Sequence, residues 1–302
     1  MKNLLSQRKG ELFVISSSII EAWFPIAVFY LAHALGGIHA FFYSLVIAAS
    51  VLLVYSFWSG AYRQLSNRTV YGDLLKTSLL MASLFCLIFI GAQFTTASHV
   101  ALIIFLQLLF AYLYFQRRAE ETLDSIHLLG AILMGVGAIL ILFPVNEQWQ
   151  LNMGDLLVLL AAMLAPLGNF YQKRARKSIE GTNILLVRSL IGLPVVYILA
   201  VLFEVTPNWQ QIESQLGWLV FSGVGIFVAA KLLWMESLHR LSIAKVNAMY
   251  AVSPLLTLVL AYWLLNEVPS LLQMLAVIPI LLGGYFITRP VQSESKVLVI
   301  TK

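Results

Sequence analysis

Three ionisable residues stand inside long apolar runs of this chain: Glu21 in the first run, Arg188 in the seventh and Lys231 in the eighth. A charge near the centre of a bilayer costs at least about 2.5–3.5 kcal/mol on insertion scales, so a chain keeps one there for a reason. An acid and a base facing a shared low-dielectric cavity would suit a zwitterion, with its carboxylate at Lys231 and its ammonium at Glu21. This pair is therefore the first candidate for a binding site.

Other interpretations of these residues stay open. Glu21 could couple a proton instead, because burial disfavours the charged form of a carboxyl group. Glu21 and Lys231 could also form a salt bridge that only holds two helices together. Arg188 lies nearer a helix end, so its long side chain could snorkel to the membrane interface or join a structural ion pair. Transport or binding assays on Glu21 and Lys231 variants would separate these roles.

Polar and aromatic side chains in the same runs are weaker candidates. An amide inside a membrane can bond either a ligand or a neighbouring helix. Aromatic residues in such a chain serve mostly in packing or at the membrane interface, and some contact ligands. The candidates are three amides and three aromatic residues: Gln107, Asn169 and Asn247, and Trp23, Trp234 and Tyr250.

Two prolines mark expected bends. Pro25 and Pro166 interrupt the first and sixth apolar runs at corresponding places in the two halves of the chain. Proline removes a backbone hydrogen bond and can kink a helix. We therefore predict that both helices bend at these hinge residues during a functional motion.

The composition is that of a membrane protein. Of 302 residues, 60% are hydrophobic and only 11% are charged. In soluble domains, about 45–50% of the residues are apolar and about 25% are charged. The mean hydropathy of +0.88 agrees. These values exclude a soluble enzyme, a nucleic-acid binder and a disordered chain. The single cysteine, Cys86, excludes an internal disulfide and a cysteine metal cluster.

Ten runs are long and apolar enough to cross a bilayer. Each should be an α-helix, since lipid offers the backbone no hydrogen-bond partners. The first run is too long for the core of a cleaved signal peptide, so none is expected. The predicted spans are 10–32, 39–59, 72–91, 97–116, 124–143, 155–173, 183–204, 217–238, 243–264 and 270–288.

The positive charges predict the orientation. With the N-terminus in the cytoplasm, 17 of the 19 Lys and Arg residues fall in or beside cytoplasmic segments, and only Arg188 and Lys231 do not. The five opposite loops contain none, which is the positive-inside pattern. Both termini are therefore expected in the cytoplasm of a plasma-membrane protein, the inner membrane if the source is bacterial. The net charge of +5 reflects topology and does not indicate a nucleic-acid partner.

The chain also resembles itself. Shifted by 146 residues, segment 96–144 aligns with 242–290 without a gap. We predict a first five-helix repeat at 1–144, an extracytoplasmic connector at 145–153, a second repeat at 154–290 and a cytoplasmic tail at 291–302. Because five is odd, the second repeat must have the opposite orientation in the membrane, a recurrent plan among transporters.

The repeat resembles a known family. The run from Ser242 to Pro254 and the following Leu264–Glu267 segment are similar to the EamA-type repeat of the drug/metabolite transporter superfamily. Pro254 and Glu267 have the spacing expected of that repeat's proline and of its glutamate at a helix end. In the first half, Leu108 takes the place of the proline. The resemblance implies two inverted five-helix bundles, a substrate path lined by the first and eighth helices, and export or exchange of small metabolites.

The sequence thus predicts an all-α secondary transporter that moves a small polar or zwitterionic metabolite, such as an amino acid, by alternating access, with export as the expected direction. We expect neither catalysis nor a cofactor or metal. Protons or the solute's own gradient should supply the energy, and the protein should be a monomer or homodimer in the lipid bilayer. One alternative is a carrier of an anion such as a nucleotide or nucleotide-sugar, for which Lys231 and Arg188 would supply two cations. Another is a membrane protein without a transport role.

Overall fold

The computed structural model describes residues 2–115, 125–142, 152–241 and 243–289, with only the backbone for 2–6, 243–244 and 247–248. Every regular element in this part of the chain is a helix. The α-helices are α1 (Lys2–Ala22), α2 (Phe24–Leu35), α3 (Gly37–Ser59), α4 (Tyr71–Gly91), α5 (Ala97–Phe105), α6 (Gln107–Phe115), α7 (Ser125–Leu142), α8 (Met153–Ala175), α9 (Gly181–Phe203), α10 (Trp209–Ser214), α11 (Leu216–Val220), α12 (Lys231–Arg240), α13 (Ile243–Tyr250), α14 (Val252–Leu265) and α15 (Leu271–Ile287). Two short 3₁₀ turns, Ala61–Ser66 and Arg68–Val70, precede α4, and a π-helix, Phe221–Ala230, joins α11 to α12.

The apolar helices make this a multi-pass membrane protein. Eight helical stretches of the described chain are long and apolar enough to cross a bilayer: Gln7–Leu35, Gly37–Ser59, Arg68–Gly91, Ala97–Phe115, Ser125–Leu142, Met153–Ala175, Gly181–Phe203 and Leu216–Arg240. They coincide with the first eight predicted spans. The last two predicted spans correspond to shorter apolar helices, of which α14 and α15 are the longer pieces. The count of ten crossings therefore remains a prediction.

Three of the apolar runs are broken near their middles, at Trp23, Leu106 and Ala251. Pro25 and Pro254 follow two of these breaks, because a proline lacks the N–H that would continue the helix. The Leu106 break lies at the matching place in the first repeat, although Leu108 stands there instead of a proline.

The second predicted hinge residue, Pro166, does not break its helix. Pro166 lies inside α8, which runs as one helix from Met153 to Ala175. A proline removes only one ladder hydrogen bond, and the packing of α8 along α4 supports the helix on either side of it. Whether this helix bends in a functional cycle remains a prediction.

The main helix contacts between the two repeats each have an equivalent contact with the roles of the repeats reversed. The third run packs against the sixth (α4 against α8), and the first packs against the eighth (α1 against α12). Equivalent runs also pair with each other: α3 with α9, α5 with α14 and α7 with α15. Helices α7 and α15 approach each other closely at two glycines: a Cβ added to Gly283 would lie only 2.5 Å from the carbonyl oxygen of Gly130. This pattern fits a chain built from two similar halves.

Hydrogen bonds join loops and helix ends to one another at two opposite ends of the bundle. At the start of α3, the Glu204 carboxylate accepts bonds from the backbone N–H groups of Ile38 and His39, at 2.9 Å each. At the other end of α3, Gln64 bonds Glu180 at 2.8 Å. We call the end with Glu204 the acidic end and the end with Gln64 the basic end.

Several predicted features lie outside the described residues. These are most of the connector at 145–153, the tail at 291–302, and the side chain of Asn247, whose backbone belongs to α13.

Candidate functional site

An ion pair buried inside the helix bundle joins the two halves of the chain. Lys231 Nζ at the start of α12 lies 2.5 Å from Glu21 Oε1 near the end of α1. The carboxylate side chain is only 7% exposed and the lysine side chain 25%. The Tyr250 hydroxyl of α13 donates a further hydrogen bond to the Glu21 carboxylate. The structure thus forms the Glu21–Lys231 contact that the sequence offered as a possible salt bridge, and it adds Tyr250 to the pair.

The helix breaks lie directly beside this cluster. Pro25 lacks the N–H that would bond the Glu21 carbonyl in a continuous helix, and Pro254 does the same to the Tyr250 carbonyl. The Thr257 hydroxyl donates to the Ala22 carbonyl at 2.8 Å, which fixes the break of the first run against α14. Broken helices are tolerated inside a membrane where such polar groups compensate the backbone.

The π-helix positions Lys231 against the first run. It ends at Ala230, whose carbonyl accepts a 3.0 Å hydrogen bond from the buried Ser17 hydroxyl of α1. Ser17 and Glu21 are four residues apart, so they share one face of α1. One face of α1 therefore contacts the eighth run twice, at the Ala230 carbonyl and at the Lys231 side chain. Single-turn π segments are frequent at functional sites.

An open, mainly apolar depression lies beside the break of the first run. It has a volume of about 440 Å³ and is lined by Trp23, Ser214, Gly217, Trp218 and Phe221. The Trp23 ring lies 6.4 Å from that of Trp218 and 6.3 Å from that of Phe221. Trp23 is thus the sequence candidate that the structure places in this depression.

The other candidates lie apart from this cluster. Gln107 begins α6 and Asn169 lies in α8, and both are half-buried with no side-chain hydrogen bond to any described residue. The interhelical hydrogen bond that was one possible role of these two amides is thus absent within the described ranges. Trp234 packs on the apolar cluster of Val14 and Leu241 and is half-buried.

Arg188 does not point away to the membrane interface. Its Nη1 donates to Gln172 Oε1 of α8 at 2.5 Å, while its Nε is buried and has no hydrogen-bond partner among the described residues. It lines a small void of about 20 Å³ together with Ser78, Phe85 and Phe227. The ion pair expected as one role of Arg188 is not formed with any residue that the structure describes.

Five phenylalanines pack together beside this void. The Phe85 and Phe227 rings are 4.8 Å apart at their centroids, and Phe24 lies 5.9 Å from Phe85. Phe41 and Phe89 complete the cluster. Along the chain, Phe24 follows Glu21 by three residues and Phe227 precedes Lys231 by four. We call these five residues the phenylalanine cluster.

Related ion pairs tie helices together at both ends. At the acidic end, His99 Nδ1 of α5 lies 2.8 Å from Asp155 Oδ2 of α8. At the basic end, Lys245 of α13 pairs with Glu11 of α1. These are equivalent positions in the two repeats, since a shift of 146 places His99 on Lys245 and a shift of 144 places Glu11 on Asp155.

Sequence reasoning missed Gln172 and the phenylalanine cluster. Gln172 and Arg188 lie on either side of the short α8–α9 connection, so antiparallel packing of consecutive helices could have suggested their contact. Phenylalanine is too common in this chain, with 18 residues, for type alone to mark five of them. No group of three metal-ligating side chains occurs within the described ranges.

Comparison with known proteins agrees with this architecture. A solved crystal structure superposes with a TM-score of 0.65 at 16% sequence identity, over 92% of this chain and 95% of the other. That similarity shows the fold. A protein of Synechocystis sp. that is named an uncharacterized transporter is 27% identical over 139 residues, which span 45% of this chain and 40% of that relative.

A family model matches the chain twice. The model of the EamA-like transporter family covers residues 8–143 and again residues 152–289. The two matches together cover nearly the whole sequence, and they meet near the predicted connector. They confirm the resemblance inferred from the repeat. The chain therefore belongs to the EamA-like transporter family, whose general role is transport across a membrane.

Proposed function

We propose that this protein is a secondary transporter that moves a small polar or zwitterionic metabolite, an amino acid or related compound, by alternating access. The observation that carries the proposal is the buried Glu21–Lys231 pair, which joins the first and eighth runs and receives the Tyr250 hydroxyl. A solute ammonium or hydroxyl group would compete with Lys231 and Tyr250 for the Glu21 carboxylate.

The position of the pair supports a substrate site more than a simple link. Glu21 and Lys231 belong to different repeats, and each lies next to a change in helix geometry, a break or a π-helix. In transporters built from inverted repeats, substrates bind near the midplane at the repeat interface, beside broken helices. A scaffold would gain little from such a pair, because replacing a buried ion pair by apolar residues is often neutral or stabilising.

We further propose ten crossings, both termini in the cytoplasm, a plasma-membrane location and export as the direction. The gathering of loops at an acidic and a basic end supports this topology, because the two ends segregate the chain as the basic residues predict.

The test is transport by proteoliposomes containing Glu21→Gln, Lys231→Met or both, with a panel of labelled amino acids, nucleotides and cationic drugs. Each single variant should lose more than about tenfold in rate, since each leaves a buried charge without its partner. The double variant should recover thermal stability but not transport. Asp73→Asn with Arg174→Gln is the control, because this half-exposed 3.1 Å pair contributes little to stability.

Two results would contradict the proposal. Near-normal rates in both single variants would remove the pair from the site. Recovery of transport together with stability in the double variant would make it a structural link only.

A further inference from the structure

The charges inside the membrane spans do not cancel. Glu21 and Lys231 neutralise each other, whereas Arg188 forms no ion pair with any residue that the structure describes. A half-buried cation without a counter-charge is costly, since the hydration that it loses is not replaced. No carboxylate among the described residues therefore balances Arg188.

The hydrogen-bonding capacity of the guanidinium group is also unfilled. Arginine has five N–H donors, and at Arg188 only the bond from Nη1 to Gln172 is made, while Nε is buried without a partner in the described chain. The hydroxyls of Ser78 and Ser189, which line the same void, already donate to the carbonyls of Leu74 and Leu185. The donors that remain for a ligand in this void are therefore those of Arg188, and a ligand that binds them must accept hydrogen bonds.

A carboxylate satisfies both requirements, because its two oxygens match the planar fork of a guanidinium and its charge balances it. The void of about 20 Å³ has room for about one water molecule, so a carboxylate enters only when the walls move. Two of those walls are Phe85 and Phe227, members of the phenylalanine cluster. Movement of these rings would enlarge the void.

We infer that Arg188 is the carboxylate-binding residue of the transported solute. This inference rests on the proposed function and names the substrate class, an amino acid or another small carboxylate. Lys231 is the poorer partner for that carboxylate, because Glu21 already neutralises it.

The experiment compares matched solutes in proteoliposomes. Inhibition of labelled leucine uptake is measured with unlabelled leucine, leucinamide and isoamylamine, which differ only at the carboxylate; other amino acids are tested in the same sets of three. For the transported amino acid, wild-type protein should prefer the carboxylate form by about tenfold or more, as expected for a hydrogen bond to a charged group. Arg188→Gln should reduce this ratio to near one, and Arg188→Lys should retain part of it.

A second variant tests the same inference at Gln172, the hydrogen-bond partner of Arg188. Gln172→Glu would place a carboxylate against the guanidinium, where it should occupy the ligand's place. We expect it to fold, to raise the thermal unfolding temperature and to abolish the preference for the carboxylate form. Arg176→Gln is the matched control, because Arg176 lies outside the membrane spans and donates only to the Ile179 carbonyl.

Three outcomes would overturn the inference. The first is an unchanged ratio in folded Arg188→Gln or, if that variant does not fold, in Gln172→Glu. The second is uptake by wild-type protein with a ratio near one, which would overturn this inference and leave the proposed function standing. The third is no uptake of any solute by wild-type protein, which would overturn both.

Discussion

At the scale of single residues, the Glu21 carboxylate is held by two donors of different kinds. Lys231 balances its charge, and the Tyr250 hydroxyl fills a second lone pair. The three residues come from α1, α12 and α13, so a single carboxylate links one run of the first repeat to two runs of the second. Under the proposed function, a solute group that replaced either donor would loosen the contact between the halves and so couple binding to motion.

Removal of the Tyr250 hydroxyl should therefore weaken transport while the fold survives. We expect Tyr250→Phe to lower the transport rate about tenfold, since a hydrogen bond to a charged group contributes about 1.5–3 kcal/mol. Tyr112→Phe is the matched control, because the buried Tyr112 hydroxyl has no partner among the described residues. Uptake by both variants in proteoliposomes provides the measurement. Equal rates for the two variants would contradict a role for Tyr250 at the site.

At the scale of helices, two of the helix breaks lie next to the polar side chains of the candidate site. The first run breaks at Trp23, two residues after Glu21, and the ninth breaks at Ala251, one residue after Tyr250. A break lets the two pieces of a run change their angle without moving the whole helix, and it exposes backbone carbonyls to a polar site. Pro25 and Pro254 make both breaks permanent features of the backbone.

Pro25→Ala should restore the N–H that bonds the Glu21 carbonyl and straighten the first run. We expect transport to fall severalfold while thermal stability is unchanged or higher, because alanine favours a continuous helix. Pro194→Ala is the control, since Pro194 is an exposed proline within the continuous helix α9. Uptake rates and thermal unfolding in detergent would be measured on the same preparations. A wild-type rate in Pro25→Ala would show that this hinge is not used.

At the scale of the whole molecule, the two ends are closed by equivalent contacts of different chemistry. The acidic end is tied by His99 and Asp155, and the basic end by Lys245 and Glu11. Both pairs join the beginning of the fourth run of one repeat to the beginning of the first run of the other. Alternating access requires that one end open while the other stays closed, and these pairs are the contacts that such a motion would break in turn.

The orientation of these ends is open to a direct test. We expect Glu213→Cys at the acidic end to react with a membrane-impermeant maleimide in intact cells. Ser66→Cys at the basic end should react only after the cells are permeabilised. The wild-type chain is a suitable background, because its single cysteine, Cys86, is 7% exposed and buried in the core. Labelling of both variants in intact cells, or the reverse order, would contradict the topology drawn from the positive charges.

The amino-acid sequence by itself determined the class of protein, the helical segments and the family. The class of protein and the helical segments follow from local properties of the chain: apolar length, the absence of backbone partners in lipid, and the positions of Lys and Arg. The family follows from the resemblance of the Ser242–Pro254 and Leu264–Glu267 segments to a known repeat. The same reading found Glu21, Lys231 and Arg188, because a charge in an apolar run is rare enough to stand out.

Only the tertiary structure decided which of these residues meet. Glu21 and Lys231 are 210 positions apart along the chain, and their contact depends on how α1 packs against α12, which no local pattern encodes. The sequence placed Arg188 at the membrane interface or in an ion pair, whereas the packing of α8 and α9 on α4 brought it to Gln172 and a small void. The difference arises because side-chain direction and neighbours are set by packing between helices, while span length and charge asymmetry are properties of each segment alone.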